Sequence, residues 1–149
     1  MSSEMSVFSK NDNKSLIVCF GGMALKMGGI IPFEFLNYLK KNVANTADLI
    51  FLVDRNQYWY HKGISGISKN IEETVLHINK RIKNRKYETV IFMGVSAGGY
   101  AALLFGSLCD NVTHVVSFIP RTLLIRYIDD KHKDIEYHIK NHIEYVLYG

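Results

Sequence analysis

The chain has 149 residues, 48% of them hydrophobic and 21% charged, with only two prolines. That is the composition of a single globular domain able to bury a real core, and it excludes a disordered, collagenous or disulfide-stapled chain. The formal net charge of +4 is mild and spread along the sequence, so nothing in it calls for a nucleic-acid partner.

Met1 to Asn13, rich in Ser, Asn, Lys and Asp, is expected to be a loose, solvated start. It lacks an apolar signal region, and no apolar run approaches the roughly 18 residues of a membrane span, so the expected location is cytoplasmic, with no membrane partner. Leu16-Ile17-Val18-Cys19-Phe20 is a short apolar run closed by Gly21-Gly22, which predicts a buried strand. Met23 to Ile31 reads as a loop. Pro32 suits the first turn of a helix, where a missing N–H costs nothing, and the helix is predicted over Phe33 to Asn42. Leu49 to Val53 predicts a second strand, ended by Asp54. The loop from Arg55 to Ser68 holds Tyr58, Trp59, Tyr60 and His61. A helix is predicted over Asn70 to Lys83, with Ile71, Val75, Ile78 and Ile82 on one face and Ser68 or Asn70 as its cap. The basic cluster Lys80 to Lys86 ends that helix, where cations complement the helix dipole, and is expected to be solvated. Thr89 to Met93 predicts a third strand, Tyr100 to Leu108 a helix, and Val112 to Phe118 a fourth strand stopped by Pro120. One more helix is predicted between Leu123 and Tyr148.

Strands alternating with helices, each strand a continuous apolar run, predict an α/β fold. The expected architecture is a single-domain three-layer sandwich around a mainly parallel sheet of at least four strands. Cys19 and Cys109 are isolated from one another and are expected to be reduced core thiols. No metal or cofactor site is expected.

The strongest chemical signal is Gly94-Val95-Ser96-Ala97-Gly98, placed directly between a strand and an Ala-rich helix. A serine there is held on a sharp turn, with small neighbours that avoid clashes, and its hydroxyl is presented at the carboxyl edge of the sheet beside helix N-terminal N–H donors. The alternatives are a plain Gly-rich turn or a phosphate loop. The turn has neither the G-x-G-x-x-G spacing nor the lysine of a P-loop. An acyl-transfer site needs two N–H donors for the developing oxyanion. Ala97 is the candidate for one, and Gly22 or Met23, after Phe20-Gly21, for the other; a simple turn closing the strand is the alternative. Asp54, Trp59, Tyr60 and His61 follow the second strand and are candidate substrate-binding residues, with aromatics suited to a sugar or a flat group. Packing is the competing explanation for the aromatics; Asp54 as a triad acid is a lesser reading, with capping or a loop hydrogen bond as its alternative.

These motifs resemble the α/β-hydrolase superfamily, in particular short members encoded near bacterial surface-polysaccharide genes or in viruses. The likeness rests on Phe20-Gly21-Gly22, Asp54 with Trp59-Tyr60 and Gly63, Gly94 to Ala102, and Ser117-Phe118, and covers about residues 14 to 125. It implies a serine hydrolase with Ser96 as nucleophile and a small-molecule or glycan ester, thioester or related acyl compound as substrate. In that fold the acid and then the histidine follow the nucleophile, after later strands. Here the stretch beyond Pro120 reads as an irregular segment and a helix, so a C-terminally truncated member is expected. The candidate bases are His61, His132, His138 and His142, with His132 singled out because Asp129, Asp130 and Asp134 flank it; a charged, solvated helix face is the competing explanation. His114 begins its strand, at the wrong end of the sheet, and is expected to be structural. The alternative function is a catalytically incomplete binding or assembly module. Its open sheet edge after the fourth strand would be covered by a homo-oligomer.

Overall fold

The computed structural model describes residues 2–9, 12–23 and 33–120. A five-stranded sheet runs through the middle, in the order β1-β3-β2-β4-β5. The strands are β1 (Glu4–Val7), β2 (Ser15–Phe20), β3 (Asp48–Leu52), β4 (Thr89–Val95) and β5 (His114–Phe118), and the helices are α1 (Leu36–Asn42), α2 (Ile71–Lys83) and α3 (Ala97–Leu108). Strands β2 to β5 are mutually parallel and β1 is antiparallel to β3. The predicted three-layer α/β architecture is therefore the observed one.

Each face of the sheet has its own apolar cluster. Leu16, Val18, Phe20, Ile50, Leu52, Val90 and Phe92 face α2 and α3, where they meet Ile71, Ile78, Ile82, Leu104 and Phe105. Ile17, Cys19, Leu49 and Phe51 face the other way and pack with Leu39 of α1. A strand covered on both sides has no polar face, which is why β2 and β3 read as unbroken apolar runs. Cys19 and Cys109 belong to the opposite clusters, so the sheet separates them. Burial pushes both thiols up to about 12.

Strand β4 runs two residues past expectation, to Val95, and four other boundaries differ for local reasons. The opening residues, expected to be loose, contain β1, because β3 has a free edge and Glu4 reaches α2. Glu4 accepts from His77 Nε2 at 2.7 Å and pairs with Arg81 at 2.7 Å. Helix α1 starts at Leu36 rather than Phe33, since Phe35 takes φ 60° and cannot be a helical residue. Helix α3 starts at Ala97, three residues early, because the turn before it is complete at Ser96. Strand β5 starts at His114, after Thr113 has bonded Val90 through both its N–H and its hydroxyl. For α2, Asn70 is the cap, its Oδ1 accepting from Glu73 N–H at 2.8 Å, while Ser68 bonds Thr74 instead. The helix predicted between Leu123 and Tyr148, with His132, His138 and His142, lies outside the described residues.

The His77 hydrogen bond, aided by Arg81 and Ser6, holds the Glu4 carboxyl below its ordinary value of 4.5 against the opposing effect of burial. A depressed carboxylate stabilises the fold above its unfolded pKa, and that stability is lost as pH falls through the folded pKa. Glu4→Gln is expected to cost about 1 kcal/mol at pH 7 and nothing once Glu4 is protonated. Urea midpoints at pH 7 and pH 3 test this; an equal loss at both would refute it.

Candidate functional site

Parallel strands deliver their carboxyl ends to one edge of the sheet. In register, Phe20 lies opposite Leu52 on one side and Gly94 on the other, and Val95 lies opposite Phe118. The segments beginning at Gly21, Val53, Ser96 and Ile119 therefore emerge together. His114 begins β5 and sits at the far end, with its Nδ1 2.9 Å from the Thr113 hydroxyl, as its strand position required.

Ser96 sits at the junction of β4 and α3 with φ 53° and ψ −116°, a backbone conformation that L-residues avoid. Its N–H donates to Phe118 O at 3.0 Å, and its carbonyl accepts the first helical hydrogen bond, from Tyr100 N–H, at 2.9 Å. Its side chain makes no capping bond. The chain can turn this tightly because two neighbours lack a side chain. A Cβ on Gly94 would overlap the Gly98 carbonyl, and a Cβ on Gly98 would overlap the Phe20 carbonyl oxygen. Ala97 is the first helical residue, so its N–H is among those that no preceding carbonyl in the helix can serve.

Ser96 and Ala97 line a cavity of about 330 Å³ together with Gly22, Met23, Glu34, Trp59 and Val95. Among the candidates taken from sequence, the cavity thus unites Ser96, Gly22, Met23, Ala97 and Trp59. Glu34 is an addition. In sequence it is one acidic residue near the head of a predicted helix, with no motif around it. Its backbone neighbour across the cavity is Gly22, where an added Cβ would lie 2.9 Å from Glu34 Oε1.

Asp54, Tyr60 and His61 stand behind this wall. Asp54 is buried, and its carboxylate accepts from the N–H groups of Asn56 at 3.0 Å, Tyr58 at 2.7 Å and Tyr60 at 2.9 Å. It ties down a loop in which Gln57, Trp59 and Tyr60 all take positive φ. Burial raises its pKa and the loop amides pull it back. This is the loop hydrogen bonding that the sequence left open as the alternative for Asp54. Tyr60 is 1% exposed, edge-on to Phe20 and Phe105, and its hydroxyl donates to the carbonyls of Gly21 and Leu52. It supports the Gly21-Gly22 turn from below. Gln57 does the same from the side, donating to Met23 O at 3.0 Å. His61 is buried, stacked on Tyr100 at a 14° interplanar angle, with Nε2 2.6 Å from the Tyr100 hydroxyl. Trp59 packs edge-on against the same Tyr100 ring, at 5.9 Å. Asp54→Ala is expected to cost about 2–4 kcal/mol, since it strands three loop N–H groups. It is also expected to shift the emission of Trp59, the only tryptophan in the chain. Denaturation followed by fluorescence checks both.

Among the described residues, no group of three or more His, Cys, Asp or Glu could hold a metal ion. Nor is any helix among them long and apolar enough to cross a membrane.

No protein-family model matches the chain, and no curated protein matches its sequence. Solved structures do match. The capsule O-acetyltransferase of Neisseria meningitidis serogroup A is similar with a TM-score of 0.60 at 17% identity, over 92% of this chain and 61% of that one. A variant of the same enzyme in complex with CoA gives a TM-score of 0.62 at 16% identity, over 98% of this chain and 62% of that one. Brefeldin A esterase, described as a bacterial homologue of human hormone-sensitive lipase, gives 0.52 at 18% identity, over 86% of this chain and 37% of that one. At these identities the likeness is one of fold: the chain has the α/β-hydrolase fold, and it spans less than two thirds of the length of these enzymes.

Proposed function

We propose that this chain processes acyl compounds through a Ser96 nucleophile, cleaving an ester or thioester and passing the acyl group to water or to a hydroxyl acceptor. The observation that carries this is the backbone of Ser96, a non-glycine residue at φ 53° and ψ −116° heading α3 and facing a cavity. A strained conformation persists where surrounding structure over-determines it, and such residues cluster at functional sites. Here the two glycines and the Phe118 carbonyl do that.

In the proposed sequence the Ser96 oxygen adds to the acyl carbon and its proton passes to a histidine. The oxyanion is held by the N–H of Ala97 and that of Gly22 or Met23. Collapse expels an alcohol or thiol, which takes the proton back from the histidine, and leaves an acyl-Ser96 ester. Water or a sugar hydroxyl then releases the acyl group. The described histidines are occupied elsewhere: His61 with Tyr100, His77 with Glu4 and His114 at the far edge. We therefore keep His132 as the proposed base, with Asp129, Asp130 or Asp134 beside it. The neighbour named as a capsule O-acetyltransferase supports a hydroxyl acceptor beside water. Trp59, on the cavity wall, supplies a flat apolar face for a sugar ring.

The test is labelling by a fluorophosphonate probe, with the modified residue identified by peptide mass spectrometry. Labelling at Ser96 that slows in His132→Ala supports the proposal. A folded protein that takes no label would leave the fold as a binding module only.

A further inference from the structure

The Tyr60 hydroxyl lies in the core, 2.8 Å from the Gly21 carbonyl oxygen and 3.2 Å from that of Leu52. A phenol has one proton to give, and the shorter bond is the one to Gly21. The hydroxyl is held in place from two sides. Its ring is 1% exposed and meets Phe20 and Phe105 edge-on, with centroids 5.8 and 6.0 Å away. Its backbone, at φ 65°, is anchored through its N–H to Asp54 Oδ2 at 2.9 Å. Leu52 O also accepts the Gly21 N–H at 2.8 Å, which carries the pairing of β2 with β3 one residue past the strand. Both the N–H and the carbonyl of Gly21 are therefore turned toward β3.

The Gly21 carbonyl and the Gly22 N–H belong to one peptide unit. The unit is planar and trans, so its two polar groups point in opposite directions. Fixing the carbonyl toward Tyr60 and β3 turns the Gly22 N–H toward the other neighbour of β2, which is β4. Strand β4 ends at Val95 and runs into Ser96, and Gly22, Val95, Ser96 and Ala97 line one cavity. Gly22 has no side chain to cover its amide. A Cβ there would stand 2.9 Å from Glu34 Oε1 and 3.4 Å from Val95 O. Gln57 holds the Met23 carbonyl, but that group belongs to the following peptide and does not orient the Met23 N–H.

We propose that Tyr60 is a positioning residue for the oxyanion hole: by holding the Gly21 carbonyl in the core, it presents the Gly22 N–H, rather than that of Met23, as the second donor beside Ala97. This role rests on the Ser96 reading and deepens it. An oxyanion donor is effective when it is aimed before the charge develops, at no cost of reorganisation. Tyr60→Phe keeps the ring and its packing and removes the hydroxyl alone. The Gly21 carbonyl then loses that buried donor, and an unsatisfied buried carbonyl is costly enough to make the peptide rotate in search of another. The Gly22 N–H swings out of aim with it.

The experiment has two readouts. Fluorophosphonate labelling at Ser96 is followed over a range of probe concentrations, which separates reversible binding (KI) from bond formation (kinact). Tyr60→Phe is expected to lower kinact about ten-fold, a part of what losing a whole donor costs, with KI within about two-fold of wild type. Ile78→Val, a core change on α2, is the stability control: it is expected to lower the urea midpoint and leave kinact as in wild type. The second readout needs no variant. Wild-type protein phosphonylated at Ser96 is compared by NMR with the free protein, and the amide protons of Gly22 and Ala97 are expected to move downfield further than that of Met23. A kinact unchanged in Tyr60→Phe, an equal fall in Ile78→Val, or a larger shift at Met23 than at Gly22 each overturns the role of Tyr60 while leaving Ser96 as the nucleophile. A folded wild-type protein that takes no label refutes the Ser96 reading itself, and the role of Tyr60 falls with it.

Discussion

Ser96→Ala is expected to lower probe labelling and acyl turnover by about a thousand-fold or more, while leaving the melting temperature close to wild type. The loss follows from removing the only hydroxyl that the described residues bring to the cavity. The size follows from serine-dependent acyl transfer, where deleting the nucleophile leaves only binding and oxyanion stabilisation. The unchanged stability follows from the side chain making no capping bond. A companion variant sharpens this. Ser96→Gly removes the same hydroxyl and also relieves the backbone, because φ 53° with ψ −116° costs glycine little. Its stability is expected to rise by about 1 kcal/mol even though glycine also loosens the unfolded chain. An inactive protein made more stable by Ser96→Gly is the signature of strain kept for function. If Ser96→Gly is less stable than Ser96→Ala, the turn is not strained and the site loses its main physical support.

Gly98→Ala is expected to be the most destabilising small substitution in the described part of the chain, at about 3 kcal/mol or more. A methyl there would overlap the Phe20 carbonyl oxygen and press on Gly21. Those atoms belong to the end of the central strand, which is hydrogen-bonded to a partner on each side and buried from Leu16 to Phe20. Backbone held in that way cannot move aside as a flexible side chain would. Relief requires α3 to lift away from β2, opening the contacts of Ala101, Ala102, Leu104 and Phe105 with the core. Because α3 carries Ala97, the proposed oxyanion donor would move as well, so activity is expected to fall further than stability alone explains. Guanidinium denaturation and labelling kinetics check the two effects separately. A Gly98→Ala protein as stable as wild type would mean that helix and strand are not in such close contact.

Much of this architecture is present in local residue order. Leu16 to Phe20 and Leu49 to Val53 offer no polar side to solvent, which is the pattern of strands buried on both faces. The alternation of such strands with helices fixes parallel pairing, and parallel pairing fixes which ends share an edge. The small residues around Ser96 mark a turn where helix and strand touch. Residues 4–7 escaped notice because the alternation Glu-Met-Ser-Val is only four residues long and lies in a polar stretch. It exists only because β3 has an edge to pair with, and because His77 and Arg81 stand ready for Glu4.

The site divides along the same line. Ser96, Ala97, Gly22 and Met23 were legible because their positions follow from where strands end. The Asp54 to His61 loop was legible as a place but not as a set of roles. Only the folded chain turns the Asp54 carboxylate onto three amides, sends the Tyr60 hydroxyl into the core and leaves Trp59 on the cavity wall. Glu34 could not be seen at all. It lies twelve residues from Gly22 in the chain, and their proximity depends on how α1 packs against the opposite face of the sheet from α3. Residue order determines what neighbouring residues impose on one another: strand, turn, helix and the edge at which they end. Which side chains then meet across that edge is decided by packing between segments distant in the chain, and no local pattern encodes it.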